Sequence, residues 1–312
     1  MKGRIGLIDV DGHRFPNFAL MRLSAYHKSH GDNVEWAVPA KTYDIVAASK
    51  IFTFSPDFDY SSINTHKMIK GGTGYDIGSR LPKEIEEPTA MDYSLYPQYQ
   101  FSIQFFSRGC IRHCPFCLVR EKEGYITPVT PVTPVNLNPL GKHIEVLDNN
   151  FFANPAWHNA IEYLLSAKQK VNLHGVDVRI MDEEQAYWLN RLPLYKSIHI
   201  AWDFPQLDLT EKLREVTRYI KPYKLMCYVL VGFNSTIEED MYRIERLREL
   251  KIKPFVMPYR DFGNHHVPTQ YEKDLAQYVN KPMIFKSCTF AEFSPRKGFK
   301  CEYYLNNKTK VL

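Results

Sequence analysis

Short apolar runs and amphipathic stretches alternate along most of this chain. Residues 3–9 hold Ile5, Leu7 and Ile8 in one apolar run, which predicts a buried strand. Phe18, Met21, Leu23 and Ala25 suit a helix stopping near His30-Gly31. Val34–Val38 predicts a second strand and Ile51–Phe54 a third, while Lys67–Lys70 leads into Gly71-Gly72-Thr73-Gly74. Strand–helix–strand order of this kind predicts a small α/β domain over residues 1–97. Its last stretch, 82–99, is rich in Pro, Glu and Tyr, has little periodicity and reads as a linker.

A second domain is expected over 98–264. Strands are predicted at Gln100–Ser107, His143–Leu147, Val171–His174, Ser197–Trp202, Lys224–Val231 and Pro254–Met257. Between them lie helical segments: 155–167, then one opened by Asp182 with Gln185, one by Asp208 with Glu211, and one by Ser235 with Glu238, each at capping-box spacing. Strand–helix alternation this regular predicts an α/β fold with a parallel sheet, here a partial (β/α) barrel. Thr127 to Val135 repeats Thr-Pro-Val, and so many prolines favour an extended surface loop, or a linker, over helix. Residues 265–312 form an irregular C-terminal extension.

Composition narrows the classes. At 312 residues with 44% hydrophobic and 24% charged, the chain is of ordinary globular make-up and long enough for a large core. The net charge of +5 is spread thinly, with no dense Lys/Arg block, so nucleic acid is not indicated. No apolar run is long enough to span a membrane, and the opening residues lack the pattern of a secretory leader, so a cytoplasmic location is expected.

The chemistry concentrates in Arg108-Gly109-Cys110-Ile111-Arg112-His113-Cys114-Pro115-Phe116-Cys117. Three thiolates spaced C-x3-C-x2-C can converge on one soft metal site. A closed zinc site or a fully ligated cluster needs four protein ligands, so three leave one position open. In parallel α/β folds, ligands sit beyond the carboxyl ends of the strands. Asp148-Asn149-Asn150, Asp177 with Arg179, Asp203, and Gly232-Phe233-Asn234 all fall at predicted strand ends, on the same side as the cysteine loop.

With these residues in view, the chain resembles the radical S-adenosylmethionine (SAM) superfamily over roughly residues 98–260. Besides the cysteine motif, the segments IEVLDNNFF, GVDVR and YVLVGF are similar to its second, third and later strand regions. The resemblance implies a [4Fe-4S] cluster held by Cys110, Cys114 and Cys117. The unique iron would take the amino and carboxylate groups of SAM, whose reductive cleavage gives a 5′-deoxyadenosyl radical acting on a substrate that the sequence does not name. It implies Phe116 against the adenine, Asn149 and Asn150 near the SAM amino group, Asp177 and Arg179 at ribose or carboxylate, and the Val231 and Gly232 backbone at the adenine. It also implies a reductant such as flavodoxin or ferredoxin.

The small domain stands where many members carry a cobalamin-binding domain. Asp11-Gly12-His13 matches the first half of the D-x-H-x-x-G cobalamin motif, but Pro16 stands in place of its glycine. Cobalamin, and with it a cobalamin-dependent methyltransferase, is therefore an alternative rather than the expected reading. The alternative from another class is a non-catalytic zinc or Fe-S protein that binds nucleic acid, with a zinc knuckle completed by His113 or another residue as the plain reading of the triplet. Cys227 lies in an apolar strand and reads as an inert buried thiol.

Overall fold

The computed structural model describes residues 2–86, 90–129 and 137–307. It is a mixed α/β structure in which the chain divides into two units, the first made mainly of residues up to 103 and the second mainly of those from 104 onward. Among the described residues, no helix is long and apolar enough to cross a membrane.

The first unit is built on four parallel strands, β1 (Arg4–Asp9), β2 (Asn33–Trp36), β3 (Thr42–Ser49) and β4 (Asn64–Gly71), in the order β2-β1-β3-β4. Helix α1 (Phe18–Ser29) connects the first two; the Asn17 side chain caps it, and its Leu20 and Met21 are buried. The third strand is not where the apolar run suggested. Ile51–Phe54 is loop, with Phe52 and Phe54 half-exposed, and the backbone N–H of Ile51 is held by Asp11. The strand lies just before it, where Asp44 breaks the apolar pattern because its carboxylate accepts the backbone N–H of Arg4.

The expected linker is packed structure. It contains the short helix α2 (Lys83–Glu86), and Asp92 accepts hydrogen bonds from Ser24 and Lys28 of α1. Tyr96 is buried and donates to Asp9 at 2.7 Å. His13 lies with its ring 4.2 Å from that of Trp36. The glycine run after β4 packs against the backbone of Lys50, whose carbonyl accepts from Gly74 at 2.9 Å. A Cβ at Gly72 or Gly74 would stand within 3 Å of Lys50.

The second unit carries the other sheet, in the order β12-β11-β10-β9-β8-β5. Its strands are β5 (Ser102–Gln104), where the chain enters the unit, β8 (His143–Val146), β9 (Lys170–Val176), β10 (Leu194–Ala201), β11 (Leu225–Val231) and β12 (Lys253–Pro258). Pairing from β9 to β12 is parallel. Neighbours in the sheet are thus neighbours in sequence. The exception is a separate antiparallel pair, β6 (Ser107–Arg108) with β7 (Thr127–Pro128), which spans the cysteine loop and its short helix α3 (Val119–Glu123). Only the first three residues of the Thr-Pro-Val tract are therefore placed, two of them as strand; residues 130–136 lie outside the described residues.

Helices α4 (Trp157–Ser166), α5 (Glu183–Arg191), α6 (Thr210–Val216) and α7 (Ile237–Glu249) connect successive strands. The Asp182–Gln185 capping box forms as expected. The other two differ. Thr236 with Glu239, one residue later than the expected pair, caps α7. Asp208 accepts the N–H of Thr210 at 2.9 Å, while Glu211 pairs with Arg214 instead. The tail is more ordered than its sequence suggests, with α8 (Gln270–Val279), capped by Thr269 and Glu272, then α9 (Pro282–Ser287) and α10 (Glu302–Asn306).

Along β11 and β12 the residues alternate in burial, whereas Ile198, His199 and Ile200 of β10 are all buried. Ile198, Ile200, Cys227, Val229, Val231 and Val256 are almost fully buried on one face. Cys227, as expected, is a buried thiol, and burial raises its pKa well above the ordinary thiol range.

Candidate functional site

The start of the cysteine loop is anchored by two carboxylates. Asp148, at the end of β8, accepts the N–H of Phe106 at 2.9 Å and the hydroxyl of Ser107 at 2.5 Å. Burial pushes this carboxyl up to about 6, against the pull of those two donors. Glu123 accepts from Arg108 Nη2 at 2.6 Å, from the N–H of Gly109 at 2.8 Å and from Asn149 Nδ2 at 2.8 Å. Asn149 thus braces the loop.

Within the loop, Cys110, Cys114 and Cys117 are free thiols, each half-buried. The N–H of Cys117 donates to the carbonyl of Cys114 at 3.0 Å, and Arg120 Nη1 donates to the carbonyl of Cys110 at 3.0 Å. Cys110 Sγ accepts the N–H of Arg112 at 3.3 Å and faces Asn150 Nδ2 at 3.7 Å. Burial raises the Cys114 and Cys117 thiols; Cys117 and Cys110 raise Cys114 further and Cys110 raises Cys117, while Arg179 opposes this at Cys114 and the N–H of Val119 at Cys117.

The later strand ends meet this loop. Asp177, after β9, is gripped by Arg179 Nε at 2.6 Å and Nη2 at 2.9 Å, by Arg112 Nε at 3.0 Å and by Asn150 Nδ2 at 3.4 Å. Burial alone would raise its carboxyl, but the two guanidinium groups hold it below the ordinary range. Asp203, after β10, is pushed up to about 6 by burial, opposed chiefly by Arg243. Phe116 lies 5.3 Å, ring to ring, from both Phe204 and Phe233. Pro115, Phe204 and Phe233 line a cavity of about 280 Å³, with Asp203 and Asn234 on its wall.

Sequence reasoning placed Asp177 and Arg179 against a ligand; in the structure they are first of all partners of each other. Val231 is fully buried and its carbonyl accepts the N–H of Tyr259 at 2.9 Å. Gly232 packs against Glu272 of α8, so closely that a Cβ there would stand 2.5 Å from its carboxyl carbon. Asn150 is buried, and its Oδ1 has no hydrogen-bond partner.

Two residues important here carry no motif. Arg243, on α7, is fully buried, pairs with Asp240 at 2.7 Å and donates to the carbonyls of Trp202, Asp203 and Leu230. It ties the end of β10 to β11. Glu123 braces the start of the cysteine loop. Only their positions within amphipathic helices could have been read in advance.

Among the described residues, no three His, Cys, Asp or Glu side chains stand close enough to hold a metal ion. His113, on the same loop, is exposed. Three half-buried thiols on one loop are a soft donor set of the kind that an iron–sulfur cluster or a zinc ion would use. Asn150 Oδ1, on the side chain that faces Cys110, is a buried acceptor with no partner. No family model and no curated protein matches the chain.

Proposed function

We propose that this chain is a radical SAM enzyme whose second unit is a partial (β/α) barrel holding a [4Fe-4S] cluster at Cys110, Cys114 and Cys117. The observation that carries this reading is the meeting, at the three-cysteine loop, of polar and aromatic residues from four successive strand ends: Asn150, Asp177, Asp203 with Phe204, and Phe233. A structural metal loop needs no such ring of neighbours.

When bound, the cluster supplies the electron that cleaves SAM reductively, and a small donor such as flavodoxin or ferredoxin would deliver it. The residues of the chain do the rest. Asn150 presents its free Oδ1 to the amino group of SAM. Arg112 and Arg179 supply positive charge for its carboxylate and for the thiolates, with Asp177 fixing their forks. Phe204 and Phe233, beside Pro115, wall a cavity suited to a flat purine. The buried strand ends keep water from the reacting centre. Thiols that must stay reduced suit the cytoplasm.

Metal content tests the reading. Anaerobic reconstitution with iron and sulfide is expected to give a brown protein with about four irons per chain, and Cys114→Ala is expected to abolish the colour. Stoichiometric zinc with no cluster after reconstitution overturns it.

A further inference from the structure

A second constellation lies in the second unit, away from the cysteine motif. Glu145 on β8, Asn172 and His174 on β9, His199 on β10 and Tyr228 on β11 form a polar row across four adjacent strands. Glu145 Oε2 lies 2.7 Å from Asn172 Nδ2 and 2.8 Å from His174 Nε2. His174 Nδ1 lies 2.7 Å from His199 Nδ1, and the Tyr228 hydroxyl 3.4 Å from that same nitrogen. Glu145, Asn172 and His199 are buried; His174 and Tyr228 are half-buried.

The row depends on a fault in the sheet. Ile198 pairs with Leu173 but Ile200 with Val176, so His199 alone opposes two residues, His174 and Gly175. This is a β-bulge, a device that re-aims a side chain. It sets the imidazole of His174 against that of His199, with ring centroids 4.3 Å apart.

The chemistry of the row fixes its protons. With Glu145 ionised it only accepts, and His174 then carries its proton on Nε2, which Asn172 Nδ2 also approaches at 3.2 Å, and leaves Nδ1 bare. His199 must then donate from Nδ1, which leaves its Nε2 as a lone pair with no partner among the described residues. Asn172 Oδ1 is a second buried acceptor without a partner. Open to a ligand on this row are then the His199 Nε2 lone pair and the Tyr228 O–H, which cannot donate to the protonated Nδ1 3.4 Å away. The charge around His199 is mixed, Glu145 opposing Lys196 and Lys253, which suits an uncharged ligand.

We propose that this row is the substrate-binding site, that it takes a neutral alcohol, and that His199 Nε2 accepts the substrate hydroxyl while His174 and Glu145 are positioning residues behind it. The order also balances a proton transfer without redox change. As negative charge develops on the substrate oxygen, its O–H breaks to His199 Nε2, the His199 Nδ1–H passes to His174 Nδ1, and the His174 Nε2–H passes to Glu145. The proposal deepens the enzymatic reading and rests on it for the reaction; the proton order stands without a cluster.

Imidazole ¹⁵N shifts in the full-length protein test it independently of iron content. The groups facing His199 are Glu145, His174, Lys196, Tyr228 and Lys253. With these around it, the expected result at neutral pH is one tautomer for each ring, His174 protonated on Nε2 and His199 on Nδ1. Glu145→Ala is expected to return His174 to a tautomer mixture. D-ribose, as hydroxyl probe, is expected to shift His199 Nε2, and methylammonium is not. Mixed tautomers in the wild-type protein, or a proton on His199 Nε2, overturn the proposal. Correct tautomers with a response to methylammonium and none to ribose overturn the alcohol assignment. Failure of cluster assembly alone leaves these signals in place and counts against the cysteine reading instead.

Discussion

The amide nitrogen of Asn150 stands 3.7 Å from the sulfur of Cys110, while the oxygen of the same amide is buried without a partner. One side chain thus faces the Cys110 thiol and carries an unspent acceptor. Asn150→Ala is expected to leave iron content unchanged and to weaken SAM binding about tenfold, the worth of one hydrogen bond. Equilibrium dialysis of the reconstituted protein checks this; unchanged affinity would remove Asn150 from the site.

Gly175 has φ +66°, and a Cβ there would stand 1.9 Å from the carbonyl oxygen of Asp148. Both the backbone angle and the contact exclude any other residue. Gly175→Ala is expected to cost at least about 2 kcal/mol of stability, read by urea denaturation, and to disturb the bulge that aligns His174 with His199. A loss of a few tenths would show that the turn relaxes freely.

Asp148 gives a pH dependence with a definite sign. Its folded pKa of about 6 lies above the ordinary 3.8. Between those values the folded chain keeps a proton that the unfolded chain has released, so this group's contribution falls as pH rises through the window. The loss is complete above about pH 6 and is on the order of 3 kcal/mol. Asp148→Asn removes it. Relative to wild type, the variant is expected to gain stability steadily from about pH 4 to about pH 7, as thermal unfolding across that range will show.

Arg243 is expected to be the most costly single charge to remove. Arg243→Ala strands the buried Asp240 and leaves three carbonyls without their donor, at about 3–5 kcal/mol. Replacing the pair by Asp240→Leu with Arg243→Met is expected to recover less than half of that loss, because the carbonyls stay unpaired. Full recovery in denaturant unfolding would reduce Arg243 to a simple ion-pair partner.

The sequence made the second sheet legible because its strands are apolar runs separated by amphipathic helices, and the cysteine loop legible because its spacing is chemical. Other features were beyond reading for physical reasons. Ser235-Thr236-Ile237-Glu238-Glu239 contains two overlapping capping boxes, and only the buried Ile237 selects the later one. Thr42–Ser49 hides its strand behind Asp44, whose partner is 40 residues away. Glu145, His174 and His199 look like scattered polar residues inside strands; only the register shift brings them into one row.

The most direct test of the central claim is product analysis after anaerobic incubation of the reconstituted protein with dithionite and SAM. The account predicts 5′-deoxyadenosine and methionine in equal amounts, and neither from the Cys114→Ala variant. A cluster-loaded protein that binds SAM and leaves it intact under these conditions would contradict it.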